Sequence, residues 1–391
     1  MRIGPGLLVT AAFVGPGTIT TASIAGAGYG FTLVWALVFS VVTTIILQEM
    51  TGRLGIVTGE GVSEAIRRSL INPWFRYPLL LLVVIGIGLG NAAYQTGNIL
   101  GASVGAESLT GITLPFWVVF LSVVAAVLLG TGWYRLIEST LIVLVLTMSV
   151  VFVSAMLLQP PDLGDILLGL RPSIPDGATL SVIALIGTTV VPYNLFLHAN
   201  AVRNKWQDVP IEQALRESRK DLVFSLTLGG LLTLAIISTA STAFFGSNVS
   251  LTASNLVGQL EPVLGEWSRY LVATGLLSAG LTSAVTAPLA AGIAVCGAMG
   301  WSTELSSKGF RSVAAIVLLS GAAFAVLQEV PLTAIQLAQY ANGLLLPLLA
   351  GLLVWVMNQA VLKQYQNSPV TNLFGVTVIL IAAFLGWNKL F

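Results

Sequence analysis

Long apolar segments separated by short polar ones run along the whole chain. A transmembrane helix needs about 20 mostly apolar residues, and segments of roughly 18 or more are long enough to cross a bilayer. Eleven such segments fall at about 7–29, 31–55, 78–101, 114–132, 136–158, 179–203, 221–245, 268–299, 311–328, 331–357 and 370–387. The pattern predicts an all-α polytopic membrane protein with eleven transmembrane helices, in a single transmembrane domain over residues 1–391.

Composition supports this class and excludes several others. The 391 residues are 56% hydrophobic and only 8% charged, whereas a soluble domain carries about 25% charge. We find no basic patch for nucleic acid, no phosphate-binding loop for an ATP-driven pump and no signature of an enzyme. We expect no cofactor. The single cysteine, Cys296, excludes an internal disulfide and a thiolate metal cluster. The first apolar segment lacks a small-residue cleavage site, so we expect a retained helix rather than a signal peptide.

The distribution of basic residues predicts the orientation in the membrane. With the N-terminus inside, all 17 Lys and Arg residues except Arg171, Arg269 and Lys389 fall on the cytoplasmic side. Cytoplasmic loops of membrane proteins carry an excess of Lys and Arg. We therefore expect a multi-pass protein of a plasma membrane, of the bacterial inner-membrane type, with a cytoplasmic N-terminus and an external C-terminus.

Two apolar segments contain a proline near the middle. Pro192 lies within the stretch 183–202, and Pro16 lies within the first segment, in the run VGPGT at 14–18. Proline lacks the backbone N–H and clashes with the carbonyl four residues back, so a straight helix is interrupted there. A freed backbone group is costly in hydrocarbon, so such breaks favour helices that line a protein cavity.

The two prolines occupy corresponding positions of two predicted halves. Five helices starting inside place the start of the sixth outside, so the second five run in the opposite direction to the first five. Repeat one would cover about 5–158, repeat two about 176–357, and an extra helix about 370–390. Paired broken helices in inverted repeats point to a transporter's substrate site. The alternative is that both prolines only kink packed helices, which membrane proteins tolerate.

Four motifs resemble the Nramp family of divalent-metal transporters. QEM and RLGIVTG within 48–59 resemble the family's second helix, and ANGLLLP at 341–347 resembles its tenth. VPYNLFLH at 191–198 stands where the family has Met-Pro-His-Asn-Leu and a second histidine, and GPGT at 15–18 replaces Asp-Pro-Gly-Asn. The resemblance covers nearly the whole chain. It implies a LeuT-type fold, a substrate site between helices 1 and 6, and alternating access.

The departures from the family pattern all lie at that site. Gly15 stands in place of the metal-binding aspartate, Thr18 in place of asparagine, Val191 in place of methionine and Tyr193 in place of the first histidine. The third helix, at 90–98, lacks the carboxylates of proton-coupled members. It is similar there to the Nramp-related magnesium transporters, which nevertheless keep the acid on helix 1.

The positions of the acidic residues argue against high-affinity transition-metal binding and proton coupling. None lies at the middle of predicted helix 1, 3 or 6, and Glu49, four residues before Arg53, is expected to form a structural ion pair. A single uncompensated charge at the bilayer centre costs about 3 kcal/mol or more. Transition metals prefer imidazole or sulfur, whereas the middle of these helices offers backbone carbonyls at the breaks and hydroxyls such as those of Thr18, Thr188 and Thr189. No metal ligand is therefore assigned.

The candidate substrate site combines neutral side chains with the ends of the broken helices. Half-helix N-termini favour anionic groups and free C-terminal carbonyls favour cations. We expect either a small polar or zwitterionic solute or a weakly held, uncoupled divalent cation such as Mg²⁺. A third possibility is a receptor that has lost transport. The substrate-binding candidates are Gly15, Pro16, Gly17, Thr18, Thr188, Val191, Pro192, Tyr193, Asn194, Gln339 and Asn342.

For Tyr193, for His198 and for three amide residues of the predicted tenth helix, the sequence allows two interpretations each. Tyr193 either gates or cradles a cation, or fills the volume of the absent imidazole. His198 is either a proton relay or a packing residue held by a neighbouring hydroxyl or carbonyl. Gln336, Gln339 and Asn342, spaced three apart, either face the cavity or bond between helices. The expected partners are the substrate and the lipid bilayer, without nucleic acid, and the expected state is a monomer.

Overall fold

The chain is built from helices that cluster around two broken ones. The computed structural model describes residues 4–6, 9–10, 14–70, 72–131, 134–247, 251–328 and 330–390, and these ranges contain helices and no strand. The main helices are α1 Pro16–Tyr29, α2 Val34–Thr58, α3 Pro73–Thr110, α4 Leu114–Thr131, α5 Tyr134–Leu158, α6 Thr179–Thr189, α7 Pro192–Lys205, α8 Ile211–Phe244, α9 Trp267–Met299, α10 Lys308–Val326, α11 Pro331–Val356 and α12 Pro369–Leu390. Shorter helices are Val62–Ser69, Leu163–Gly169, Ala253–Leu256, Glu261–Leu264 and the 3₁₀ helix Ala360–Tyr365.

The prediction of an all-α membrane protein is confirmed. Within the described ranges, nine helices are long and apolar enough to cross a bilayer, if α6 and α7 are taken together as one of them. A tenth is added when Val145–Leu158 and Leu163–Gly169, which meet at 116°, count as one span. Each of the eleven predicted segments contains a helix. The first, predicted at 7–29, includes residues 7–8 and 11–13, which lie outside the described residues.

The sixth predicted span is broken at Pro192, as the sequence predicts. Helix α6 ends at Thr189, Val190 has φ −91° and ψ 69°, and α7 starts at Pro192 after an extended Val191. Helix α1 likewise starts at Pro16 after an extended Gly15, with φ −105° and ψ −174°. Proline fits the first position of a helix because the N–H it lacks would have no partner there.

Three other prolines lie inside helices that continue past them. Pro78 stands inside α3, Pro288 inside α9 and Pro347 inside α11. Proline alone therefore does not end a spanning helix in this chain. The interruptions at Pro16 and Pro192 therefore differ from these sites, which argues against the reading that both prolines only kink packed helices.

Close helix crossings place the broken helices at the centre of the bundle. Helix α1 packs against α8, α6 and α11, while α3 packs along α9, α10 and α11. A Cβ at Gly26 would collide with the carbonyl of Ile237, and one at Gly187 would collide with the backbone of Gln339. Glycine permits this close backbone approach, so α1–α8 and α6–α11 meet without intervening side chains.

Arg53 ties α2 to the segment that joins α11 and α12. It forms the predicted ion pair with Glu49 at 3.1 Å, so the structural reading of that pair is confirmed. Its Nη1 also donates to the carbonyls of Tyr365 at 2.9 Å and Gln366 at 3.0 Å, and its Nη2 donates to Oδ1 of Asn367 at 2.7 Å. The Arg53 guanidinium is thus an anchor for the last helix.

Removing this anchor is expected to destabilise the protein. Arg53 is only 7% exposed, and its loss would leave the carbonyls of Tyr365 and Gln366 and the amide of Asn367 without their donor, whereas Glu49 keeps Arg219 at 2.8 Å as a partner. Hydrogen bonds to a charged group contribute about 1.5–3 kcal/mol each. We expect Arg53→Gln to lower the melting temperature of the purified protein markedly, and Arg53→Lys to recover only part of the loss because lysine lacks the planar fork. The matched control is Arg171→Gln, at an exposed arginine. Equal melting temperatures for Arg53→Gln and this control would contradict the anchor.

Candidate functional site

The two broken helices meet through a pair of threonine hydroxyls. Oγ1 of Thr18, in the first turn of α1, lies 3.0 Å from Oγ1 of Thr188, in the last turn of α6. Both side chains are fully buried. The structure therefore brings together residues that are 170 positions apart, at the place where both predicted breaks converge.

Hydroxyl groups lie next to Gly15, where the Nramp resemblance implies an aspartate in the family. A Cβ built on Gly15 would lie 3.0 Å from Oγ of Ser283 on α9 and 3.6 Å from the hydroxyl of Tyr94 on α3. Ser283 is fully buried, and its Oγ has no hydrogen-bond partner among the described residues. The space next to Gly15 is thus polar and uncharged.

An aromatic pair forms one wall of the junction. The ring of Tyr193, in the first turn of α7, packs edge-on against the ring of Tyr94, with centroids 5.3 Å apart and planes 69° apart. Both rings are almost completely buried. Edge-to-face rings contribute roughly 0.5–1.5 kcal/mol beyond their burial. The Tyr193 ring therefore packs on Tyr94, whose hydroxyl lies 3.6 Å from a Cβ built on Gly15.

Helix α11 closes the opposite side with amide side chains. A Cβ at Gly17 would collide with the amide of Gln339, so this amide lies against the start of α1. Gln339 and Asn342 are 1% and 2% exposed, and Gln339 Oε1 and Asn342 Nδ2 have no hydrogen-bond partner in the described part of the chain. Gln336 differs, because its Nε2 donates to Ser181 on α6 at 3.3 Å. The interhelical reading therefore holds for Gln336.

The break between α6 and α7 offers backbone and amide groups rather than ligating side chains. Val191 contributes no polar side chain, and its carbonyl accepts the N–H of Asn194 at 3.1 Å. The carbonyl of Thr189 already accepts the hydroxyl of Thr44 at 3.3 Å. Asn194 is 1% exposed, and its Oδ1 has no partner among the residues described. Pro192 sets the start of α7, as Pro16 sets the start of α1.

His198 lies one helical turn beyond Asn194 and is held by α2. Its Nδ1 is 3.0 Å from the carbonyl of Gln48 and 3.2 Å from Oγ1 of Thr51. A carbonyl only accepts, so Nδ1 carries the proton. No acidic side chain bonds to the ring in the described ranges, and the Cε1 edge packs on Gly52. Nε2 is buried without a partner among the described residues, so neither ring nitrogen contacts an acidic group there, and this environment favours the packing reading over the proton relay.

We expect replacement of His198 to leave any pH dependence of flux unchanged. Among the described residues, the ring has a neutral carbonyl and a hydroxyl as partners and no carboxylate to pass a proton to, so His198→Gln removes packing rather than a relay. The measurement is uptake into proteoliposomes between pH 5.5 and 8, with Thr51→Val as the matched control for lost packing. A pH profile that flattens in His198→Gln and not in Thr51→Val would restore the relay.

No metal-binding cluster was found in the described part of the chain. That part holds no group of three or more His, Cys, Asp or Glu side chains able to hold a metal ion. Thr18, Thr188, Asn194, Gln339 and Asn342 are all neutral. The junction can therefore supply hydrogen bonds and helix dipoles but no negative side chain.

A glutamine from the loop between α8 and α9 bonds to both α1 and α8 near the junction. Oε1 of Gln259 accepts the hydroxyl of Ser23 at 2.6 Å, and its Nε2 donates to Oγ1 of Thr239 at 3.2 Å. Gln259 is 1% exposed. Ser23 lies five residues beyond Thr18 on α1, so these two bonds tie the loop to α1 and α8 close to the junction.

Three residues at or near the junction were not predicted from the sequence: Ser283, Tyr94 and Gln259. Tyr94 lies in the stretch 90–98, whose notable feature in the sequence is the absence of carboxylates. Ser283 lies in a run of small polar residues on α9. The small polar run was a usable signal. Gln259 gave none, because a single loop glutamine has no periodic pattern.

The fold and the buried junction of two broken helices place the chain in the class of multi-pass membrane transporters. The family model "Natural resistance-associated macrophage protein-like" (Nramp) matches residues 6–391. The chain belongs to the Nramp family. This confirms the resemblance of the four motifs.

Relatives and solved structures agree with that membership. A divalent metal cation transporter, MntH, of Aeromonas hydrophila is 25% identical over 394 residues, covering 99% of this chain and 94% of that protein. MntH 1 of Pseudomonas aeruginosa is 30% identical over 336 residues, covering 81% and 74%. The manganese transporter of Eremococcus coleocola shares the fold with a TM-score of 0.80 at 21% identity, covering 99% and 85%. Mhp1, a nucleobase-cation-symport-1 family transporter, has a TM-score of 0.61 at 16% identity, covering 98% and 91%.

Proposed function

We propose that this Nramp-family chain is an alternating-access transporter that carries a small polar or zwitterionic solute at the junction of α1, α6, α7 and α11. The observation that carries the proposal is the neutral junction around the Thr18–Thr188 hydroxyl pair. A dehydrated divalent ion would find no compensating charge there, at a cost of about 3 kcal/mol or more per uncompensated charge. We further propose that transport is not coupled to protons.

Unpartnered polar atoms support a ligand with both donors and acceptors. Oδ1 of Asn194 and Oε1 of Gln339 are buried acceptors, and Nδ2 of Asn342 is a buried donor, none with a partner among the described residues. Each buried polar group left unpaired costs about 1–3 kcal/mol. A polar solute that satisfied all three would recover that free energy on binding.

Helix ends add the electrostatics of a zwitterion site. The N-termini of α1 and α7 begin at Pro16 and Pro192, next to the junction, and carry partial positive charge. The C-terminus of α6 at Thr189 carries partial negative charge. A carboxylate near the first two and an ammonium near the third would be complementary. MhsT, whose solved complex contains L-phenylalanine, shares this fold with a TM-score of 0.59.

The second candidate is low-affinity transport of a divalent cation, such as Mg²⁺. The names of the MntH relatives favour it, because they are divalent metal cation transporters. The break at Val190 and Val191 and the hydroxyls of Thr18 and Thr188 would supply its oxygen ligands. A receptor without transport is disfavoured, since buried broken helices are costly features with no use in a static bundle.

A thermal-shift screen of the purified protein separates these candidates. Ligand binding to the folded state alone raises stability by RT ln(1 + [L]/Kd). Amino acids and other small polar solutes form one panel, and Mg²⁺ and Mn²⁺ the other. We expect stabilisation by a member of the first panel, followed by uptake of that compound into proteoliposomes. Stabilisation by cations alone would favour the second candidate.

The Thr188 hydroxyl is expected to contribute directly to uptake. Thr188→Val keeps the shape of the side chain and removes one hydrogen-bonding group, worth about 1–1.5 kcal/mol, or roughly a tenfold change. We expect initial uptake of the solute at low concentration to fall about tenfold. Thr233→Val is the control, because Thr233 is also fully buried and its hydroxyl donates to the carbonyl of Gly229 within α8 at 2.9 Å. Equal uptake by the two variants would remove Thr188 from the site.

A further inference from the structure

A basic cavity opens at the end of the bundle where α9 ends and α3 begins. Its volume is about 600 Å³, and it lies at the protein surface, apart from the junction of α1 and α6. Its lining comes from the helix Val62–Ser69, from the first turn of α3 and from the end of α9. The residues that give the cavity its character are Glu64, Arg67, Arg68, Arg76, Gly300 and Trp301.

The acidic residue of this cavity is already engaged. Oε2 of Glu64 accepts the N–H of Gly61 at 2.7 Å and lies 3.4 Å from Nη1 of Arg203. Arg68 is likewise paired, with Oε1 of Glu60 at 2.6 Å. These contacts account for one cation and one anion of the lining.

Two arginines of the lining remain without a counter-charge. Within the part of the chain that the structure describes, Arg67 and Arg76 form no ion pair and no side-chain hydrogen bond, and Nε of Arg76 is buried without a partner. The Arg67 guanidinium lies against Gly300, which has φ +72°, and a Cβ there would collide with it. Glycine at this position therefore leaves the guanidinium its place in the cavity.

Exposed aromatic residues beside the cavity mark the level of the lipid headgroups. At the start of α3, Trp74 is 86% exposed, Phe75 65% and Tyr77 67%, and Trp301 at the cavity itself is 49% exposed. Aromatic belts of membrane proteins lie at the membrane–water interface. Arg76 lies between Phe75 and Tyr77, with its Cζ 5.9 Å from the Tyr77 ring centroid. We therefore expect the cavity to open at the level of the lipid phosphate groups.

We propose that this cavity binds the phosphate group of an anionic phospholipid, with the guanidinium groups of Arg67 and Arg76 as donors. The guanidinium fork matches phosphate oxygens bidentately, and basic pockets at the ends of membrane helices bind anionic headgroups. The positive-inside distribution assigns this end to the cytoplasmic leaflet. The site is independent of the solute site at the junction.

Lipid titration of the purified full-length chain in detergent tests this site. The melting temperature is measured against phosphatidylglycerol, phosphatidylcholine and inorganic phosphate, for the wild type and for Arg67→Gln/Arg76→Gln. The control, Arg216→Gln/Lys220→Gln, removes two exposed cations of α8 near the same end of the bundle. We expect phosphatidylglycerol to stabilise the wild type and the control alike. The concentration for half of the stabilisation should rise about fivefold for each cavity arginine removed, or about 25-fold in the double variant.

Three outcomes would overturn the proposal that this cavity binds an anionic phospholipid. A midpoint for phosphatidylglycerol that is the same in the double variant and the control would mean that the arginines act only through net charge. Stabilisation by inorganic phosphate without any by phosphatidylglycerol would exclude the lipid as the source of the phosphate. Equal stabilisation by phosphatidylcholine and phosphatidylglycerol would exclude recognition of an anionic headgroup. Native mass spectrometry of bound lipid provides a readout that does not depend on stability.

Discussion

The triple variant Gly15→Asp/Val191→Met/Tyr193→His is expected to bind Mn²⁺ at least about 100-fold more tightly than the wild type. The variant introduces the three residues that the resemblance to the Nramp family implies for these positions. An aspartate at Gly15 would enter the hydroxyl-lined space at Ser283 and Tyr94. Its charge would compensate the ion, and a cost of about 3 kcal/mol corresponds to roughly a 100-fold change in affinity. Thioether and imidazole would complete a transition-metal site.

The matched control carries asparagine instead of aspartate at position 15, which removes the negative charge and keeps the shape of the side chain. Gly15→Asn/Val191→Met/Tyr193→His carries the same added volume, so any effect of crowding at Ser283 Oγ, 3.0 Å from the new Cβ, is shared. Without metal, the aspartate variant should be less stable than this control, and Mn²⁺ should reverse the difference. The affinity is measured by calorimetry. An equal gain in Mn²⁺ affinity for the asparagine control would show that charge is not what the junction lacks.

Loss of the Tyr193 ring is expected to abolish uptake of the solute. Tyr193→Ala removes a ring that is 1% exposed and packs 5.3 Å from the Tyr94 ring, so the wall of the junction is lost. Deleting a buried aromatic side chain also costs about 3–5 kcal/mol of stability. Uptake must therefore be compared at a temperature where the variant remains folded.

Tyr193→Phe separates the wall from the hydroxyl. It keeps the ring and its edge-to-face contact, so we expect Tyr193→Phe to retain uptake within a few-fold of the wild type. The measurement is the initial rate of uptake into proteoliposomes, with the folded fraction monitored by size-exclusion chromatography. Wild-type uptake in a folded Tyr193→Ala protein would show that the ring is not part of the substrate site.

Much of the fold follows from local patterns in the sequence. The apolar segments contain the helices, and the break at Pro192 lies where the proline places it, because both features depend on residues close in the chain. The pair Glu49–Arg53 was also predictable from its i,i+4 spacing. The orientation in the membrane, the repeat boundaries and the monomeric state stay predictions.

The site could be predicted only in part, since its contacts join distant segments. The Gly15, Thr18 and Thr188 candidates follow from the two breaks, but the hydroxyl of Ser283 reaches the site from α9, more than 260 residues away. No local pattern sets the register between α1 and α9. The partners of Arg53 on the segment between α11 and α12 were missed for the same reason: backbone carbonyls leave no signal in the sequence.

Binding of Mn²⁺ to the wild-type protein tests the neutral junction most directly. Isothermal titration of the purified protein with Mn²⁺ should give no saturable heat up to millimolar concentrations, while the same preparation binds the solute found by thermal shift. A one-site isotherm with micromolar affinity, weakened by Thr18→Val and Thr188→Val, would contradict a junction that lacks the charge to hold a metal ion.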